Sequence, residues 1–462
     1  MNIQTASAPR TSNIHSHFAQ SFARAWQDLL DERKKMNYII TNGTLLLPDG
    51  ESLKTEKADL YIRDGVIAAV GGTVPENFGD FETVDASGRL IMPGLINMHT
   101  HAYMTLLRNY ADDVDFSEWL FNRCMPVEDR LPVEAAYWTS LLGCMEMIST
   151  GTTCFVDMHM YHEQSCRAAN TAGMRGYIGR GLVGEDLYTD GLSRFQGCID
   201  EQEKYGSDML KFVLSPHAIY TCSEKLLRQV TEESEKRGML RQTHLSESET
   251  EVNDAIKKFG RTPVEVMRDT GFLGKKTILA HCVQMRGDDI SIIAESGSSV
   301  VTNPASNAKL GNGFAPIEDL RRAGVNVCLG TDGTASNNTL NMFREMGLLS
   351  LIHKGIHRSS VTAPATFVVD TATRNAAKAL HREGELGVIA PGAKADIIFI
   401  DLTAPSMFPN NNCISALCYS ANGSEVESVM INGKFVMRNR EFAGIDREQV
   451  LYEVGQIAKK YL

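Results

Sequence analysis

No Cys-x-x-Cys occurs in this 462-residue chain, although it holds ten cysteines. Scattered singly from Cys124 to Cys418, they read as buried reduced thiols. That spacing excludes a disulfide framework and a cysteine-ligated zinc cluster. No apolar run approaches the roughly 20 residues needed to cross a bilayer. No Gly-x-Gly-x-x-Gly follows an early strand, which counts against a dinucleotide-binding sheet. Positive charge is also scarce: 46 Lys and Arg against 57 Asp and Glu leave a net charge of −11. Nucleic acid and anionic membranes are thereby disfavoured as partners, whereas a small anionic substrate held by a few arginines is not. With no signal peptide in evidence, the expected location is the cytoplasm. A content of 43% hydrophobic and 22% charged residues is that of a globular protein, and the length supports one large core or two unequal ones.

Residues 1–36 stand apart. Ile14, Phe18, Phe22, Trp26, Leu29 and Leu30 recur at helical spacing, which predicts an amphipathic extension lying on the surface or on a partner subunit. Residues 37–92 read as short strands punctuated by Asn42-Gly43, Pro48-Asp49-Gly50, Asp64-Gly65 and Gly71-Gly72. The same texture returns over 386–462, where Asn432-Gly433 marks a turn and 447–462 a terminal helix. The simplest arrangement is one small β-sandwich built from both chain ends, with residues 93–385 inserted between them. That middle segment alternates strand-like and helix-like stretches. Eight strand candidates fall at 95–98, 152–158, 174–183, 210–215, 240–243, 277–280, 299–302 and 325–330. Eight such repeats favour an α/β fold of the (β/α)₈ barrel type over an open sheet.

Barrel chemistry gathers where strands end. The first candidate strand runs from Pro93-Gly94 into His99-Thr100-His101. Residues i and i+2 of a strand face the same way, so the two imidazoles form half of a metal site. Further ends carry Ser215-Pro216-His217, Thr243-His244-Leu245-Ser246-Glu247, Ala280-His281-Cys282 and Gly330-Thr331-Asp332-Gly333. Five of the twelve histidines and one aspartate would thus converge. A single such histidine is more often a satisfied structural residue; five and an aspartate indicate a metal centre.

These motifs resemble the amidohydrolase superfamily, over about residues 37–445. Several segments resemble its 5-methylthioadenosine/S-adenosylhomocysteine deaminases: Phe116-Ser117-Glu118-Trp119-Leu120, Val127-Glu128-Asp129-Arg130-Leu131, Ser215-Pro216-His217-Ala218, Asn303-Pro304-Ala305-Ser306-Asn307 and Thr331-Asp332-Gly333-Thr334-Ala335-Ser336. The resemblance implies hydrolytic deamination of an adenine nucleoside to an inosine-type product and ammonia. The other zinc deaminase design carries Pro-Cys-x-x-Cys and is excluded here. Two-metal relatives bridge their ions with a lysine at the end of strand four, where this chain has Ser215-Pro216-His217. One metal per subunit is therefore expected, zinc with ferrous iron as runner-up, and the resemblance implies His99, His101, His244 and Asp332 as its ligands.

By the same resemblance Glu247 shuttles a proton, Asp332 passes a second one to the leaving amine, and His281 stabilises the tetrahedral state. Glu128, in the loop after the first strand, would accept both ribose hydroxyls. His217 would touch the purine or sugar, Trp119 wall the pocket and Ser336 donate to a purine nitrogen. Glu247 and Asp332 would also contact the purine. Arg180, ending strand three, and Arg194, in the following loop, would bind a homocysteine carboxylate. Asn303–Asn307 would shape the pocket floor rather than do chemistry. The expected partner is a small purine nucleoside, and the expected assembly a homo-oligomer. The alternative is another deaminase or chlorohydrolase on this scaffold, acting on guanine, 8-oxoguanine, a pterin or a triazine. A metal-free structural relative is a third reading, but every ligand position is filled.

Overall fold

The computed structural model describes residues 36–161 and 163–462, so the extension expected over 1–36 lies, but for Met36, outside the described residues. Eight parallel strands form one sheet in sequence order: β1 (Leu95–Thr100), β2 (Thr152–His159), β3 (Arg175–Leu182), β4 (Leu210–Pro216), β5 (Leu240–Leu245), β6 (Thr277–His281), β7 (Ser299–Thr302) and β8 (Asn326–Leu329). Helices such as Val133–Ser149, Glu224–Arg237 and Pro263–Asp269 fill the crossovers. Backbone and side-chain hydrogen bonds draw β8 against β1: Thr331 N donates to Asn97 Oδ1 at 3.0 Å, and Asp332 N to His99 O at 2.9 Å. The sheet is thereby a nearly closed barrel. Its interior is packed with Ile96, Met98, Val156, Tyr177, Val213, Ile278, Val301 and Cys328. Inward residues of this size leave a filled core rather than a pore.

Both chain ends contribute to a second unit. Thr44–Asp49, Ser52–Lys57 and Arg89–Pro93 join Ile397–Asp401, Val426–Ile431, Lys434–Arg438 and Glu441–Phe442 in a seven-stranded sheet. A four-stranded sheet of Asn37–Thr41, Leu60–Arg63, Val66–Val70 and Phe81–Asp85 faces it. Ile40, Leu45, Leu60, Ile62, Ile91, Ile397 and Phe399 fill the space between them. Alternating apolar side chains from two facing sheets are what a sandwich core requires.

Gly94 is the step from sandwich to barrel. A Cβ there would lie 2.1 Å from Thr153 Cγ2, so only glycine lets β1 start this close to β2. The units are also pinned by a buried ion pair. Arg175, at the start of β3, donates Nε to Asp396 Oδ2 at 2.7 Å and Nη2 to Asp396 Oδ1 at 3.2 Å. The arginine side chain is fully buried. Arg175→Ala strands the Asp396 carboxylate in that interior. The expected loss is about 3–5 kcal/mol of unfolding free energy, read from urea or guanidinium unfolding; a loss below about 1 kcal/mol would show the pair to be dispensable.

All ten cysteines are free, and nine are buried. Among the described residues no helix is long and apolar enough to cross a membrane.

Candidate active site

The carboxyl ends of β1, β5, β6 and β8 meet at the floor of a cavity lined by His101, His217, His244, Glu247, His281 and Asp332. His99, His101 and His244 offer nitrogens within 4.8 Å of one another, as do His99 and His281 with an Asp332 oxygen. Asp332 Oδ1 lies 3.4 Å from His101 Nε2 and 3.7 Å from His99 Nε2. Asp332 reaches this place because its own N–H closes the barrel seam on His99 O.

Neighbouring carbonyls fix the tautomers. His101 Nδ1 donates to Met158 O at 2.7 Å, and His244 Nδ1 to His217 O at 2.7 Å. Assigned this way, each ring turns an Nε2 lone pair inward, and the two Nε2 atoms stand 3.3 Å apart. Two acceptors face each other there with no proton between them. His99, 1% exposed, has neither ring nitrogen hydrogen-bonded. Buried lone pairs converging beside a carboxylate repel one another unless a cation sits among them. The donor set of three imidazoles and one carboxylate is that of a borderline divalent ion, zinc among them. The side chains present therefore fit a metal.

The electrostatics agree. Burial and the neighbouring imidazoles push His99 and His244 well below the ordinary histidine pKa, which keeps them neutral. Burial opposes ionisation of Asp332, but His281, His101 and His99 outweigh it and hold the carboxyl well below its usual range. Ser306 and Ser336 hydroxyls both donate to Asp332 Oδ2, at 2.7 and 2.9 Å.

Glu247 and His281 complete the floor. Burial lifts the Glu247 carboxyl to about 7. Asn312 Nδ2 donates to its Oε1 at 3.0 Å, while Oε2 lies 3.7 Å from His281 Nε2. His281 Nδ1 donates to Asn307 Oδ1 at 2.8 Å. Burial works against the charged ring, yet Glu247 and Asp332 raise the His281 pKa above its ordinary value. The chain turns sharply to present these groups: Ser246, His281, Cys282 and Asp332 all have φ between +49° and +74°. Backbone held this way costs on the order of 1–3 kcal/mol per residue and collects at functional sites.

Above the floor the cavity is apolar, walled by Tyr103, Met104, Phe116, Trp119, Phe121, Met125 and Met160. Trp119 Nε1 donates to Ala335 O at 3.1 Å, which holds the indole in the wall. Glu128 lines the same cavity and accepts from Tyr103 Oη at 2.7 Å. Burial raises its pKa. His217, pushed down to about 4 by burial and nearby positive charge, also borders it.

Several placements differ from the sequence reading. Glu128 ends a short helix, Met125–Glu128, rather than sitting in a loop. Arg194 lies in the first turn of the helix Leu192–Tyr205, not in a loop; Gly191 at the N-cap gives that helix no side-chain start signal. Arg180 stands inside β3, two residues before its end. Neither arginine borders the cavity. Ser336, expected on a purine nitrogen, gives its hydroxyl to Asp332 instead. Asn303–Asn307 do more than shape a floor, since Ser306 holds Asp332 and Asn307 accepts from His281. Asn312 and Tyr103 were absent from the sequence reading; their partners lie 65 and 25 residues away, beyond any local signal.

The model of the amidohydrolase family matches residues 90–436. A 5-methylthioadenosine/S-adenosylhomocysteine deaminase from Thermoanaerobacter pseudethanolicus is 40% identical over 430 residues, covering 92% of this chain and 100% of the relative. A 5′-deoxyadenosine deaminase from Methanosarcina acetivorans is 37% identical over 432 residues, covering 91% and 98%. Among solved structures, a zinc-bound adenosine deaminase from Xanthomonas campestris superposes with a TM-score of 0.87 at 28% identity, over 92% of this chain and 98% of that one. The chain belongs to the amidohydrolase family, within its 5-methylthioadenosine/S-adenosylhomocysteine deaminase branch.

Proposed function

We propose that the chain is a metal-dependent hydrolytic deaminase of adenine nucleosides. S-adenosylhomocysteine, 5′-methylthioadenosine and adenosine-like nucleosides are its substrates, and an inosine-type product and ammonia are released. The observation that carries this reading is the pairing of a four-donor centre with a buried carboxylic acid. His99, His101, His244 and Asp332 meet there, and Glu247 faces His281 beside them. Those four residues would hold one ion, zinc in our reading and ferrous iron as the alternative. When bound, such an ion is a Lewis acid that brings the pKa of water from about 15.7 to around 7.

The rest is done by the chain's own side chains. Water adds to C6 of the adenine, the C6–N bond breaks, and the water oxygen becomes the new carbonyl. Glu247 Oε2 takes one water proton and delivers it to the adjacent ring nitrogen, N1. A carboxyl near 7 can do both in one turnover, because general acid–base catalysis works best when the group's pKa lies near the working pH. Asp332, ionised in its ring of imidazoles, relays the second proton to the amine, which departs as ammonia. His281, anchored through Nδ1, holds Nε2–H towards the developing oxyanion. Glu128 suits a vicinal diol, because Tyr103 occupies one carboxylate oxygen and the other can accept from ribose. The apolar wall from Phe116 to Met125 excludes bulk water and stacks on the purine.

The protein is expected in the cytoplasm, as a homo-oligomer. Ammonia release tests the reading, with zinc-loaded protein and S-adenosylhomocysteine, methylthioadenosine, 5′-deoxyadenosine, adenosine and guanine in parallel. Turnover of the adenine nucleosides is expected. Turnover of guanine alone would replace this reading with the purine-base alternative.

A further inference from the structure

Arg180 and Arg194 stand behind one side chain of the cavity wall, Met160. Arg194 Nη1 donates to Gly181 O at 2.9 Å and lies 3.3 Å from Met160 Sδ. Arg180 Nη2 approaches Met160 O at 3.4 Å. Met160 borders the cavity and the guanidinium groups do not. The thioether has a seat of its own: a Cβ on Gly181 would lie 2.9 Å from Met160 Sδ, so the glycine makes room for it.

The arginines lack the partner that their burial calls for. Both are half-buried, and among the described residues neither has a carboxylate within ion-pair distance. Arg180 is partly balanced, since its charge helps hold Glu201 below the usual carboxylate range. Arg194 feels Asp129 and Glu128 only at a distance, and burial together with Arg180 outweighs them and depresses its pKa. A desolvated guanidinium without an anion is a standing cost that an anionic ligand relieves. Arg194 also lies close enough to Glu128 for each to shift the other's titration. Arg194 is therefore within electrostatic reach of the group that would hold ribose, with Met160 between the arginines and the cavity.

Building on the deaminase reading above, we infer that Met160 is a movable partition that selects the 5′-substituent. Seated against Gly181, it closes the wall around an uncharged, apolar 5′-group. Swung aside, it admits a carboxylate to Arg194 and Arg180, whose planar forks bind carboxylates bidentately. Methionine is suited to such a partition, because three rotatable bonds and a polarisable sulfur let it repack at little cost.

The test compares kcat/KM for S-adenosylhomocysteine and for 5′-methylthioadenosine, with KM and kcat separated, in wild type, Met160→Ala, Met160→Ile, Arg194→Ala and Met160→Ala/Arg194→Ala. Removing the partition should raise the ratio of the two specificity constants, carboxylate-bearing over neutral, by about tenfold, mainly through KM. Isoleucine, stiff at χ1, should lower that ratio. Arg194→Ala should cancel the gain from Met160→Ala. A ratio unmoved by either Met160 substitution, or a gain that survives loss of Arg194, would overturn the partition. Wild-type protein that deaminates neither nucleoside would overturn the deaminase reading itself, so the two failures are told apart by the parent enzyme.

Discussion

Glu247→Gln is expected to lower kcat by about 10²- to 10⁴-fold, the range that one positioned acid–base group contributes, while leaving fold and metal content intact. Both halves of the expectation come from the geometry. Glutamine keeps Oε1 as the acceptor for Asn312 Nδ2, the only protein hydrogen bond the Glu247 side chain makes among the described residues. The backbone around it is held independently: Ser246 N and Glu247 N donate to the Glu251 carboxylate at 3.0 and 2.8 Å. An amide in place of Oε2 cannot take a proton from water or hand one to a purine nitrogen. Ammonia release gives kcat, and elemental analysis of the same preparation gives metal per chain. Turnover within about threefold of wild type would take the proton shuttle away from Glu247. Metal lost along with activity would instead assign it a supporting part in the centre.

The histidines were legible because each ends an apolar run. Leu95-Ile96-Asn97-Met98 before His99 and Thr277-Ile278-Leu279-Ala280 before His281 are buried throughout, so the polar residue that follows must emerge at the barrel rim. The sandwich was legible from turn pairs such as Asn42-Gly43 and Asn432-Gly433. What holds the site was not. Asn312 reaches Glu247 from a loop beyond β7, and Glu345 ties Ala305 N to Asn337 Nδ2 from a distant helix. Such pairings depend on where the barrel closes, which no local pattern encodes. Glu251 was the exception that carried a readable sign. Ser248-Glu249-Thr250-Glu251 has the spacing of a capping box, and Ser248 Oγ does accept from Glu251 N. The glutamate's own carboxylate serves Ser246 and Glu247 instead and is buried beneath them. The arginines show the opposite limit. Their residue type announces an anion site, yet only the packing of Met160 against Gly181 reveals that the site is closed off.

Stripping the metal should abolish ammonia release and also destabilise the fold, and the second effect is the more telling. His101 and His244 are locked by backbone carbonyls into tautomers whose Nε2 lone pairs oppose each other at 3.3 Å. Rotation of either ring would break a 2.7 Å hydrogen bond, so the metal-free protein cannot relax this repulsion cheaply. A divalent ion binding the native state alone adds about 2.7 kcal/mol of stability at a free concentration roughly one hundred times its Kd. Unfolding of chelated protein, followed by titration with Zn²⁺ or Fe²⁺, should give that rise with saturation at one ion per chain. Activity should return along the same curve, and the ion that restores more of it settles the choice between zinc and iron. Saturation at two ions would contradict the mononuclear reading, which rests on the end of β4: Ser215 Oγ is taken by Gln242 Nε2 at 3.0 Å, and no lysine is present there to bridge a second metal. His244→Ala removes one locked lone pair as well as a ligand. It should lose activity as completely as chelation does, yet lose less stability than chelated wild type, because the opposed pair is gone. Equal stability losses in the two would mean that the lone-pair conflict contributes nothing and that the ion is held for its chemistry alone.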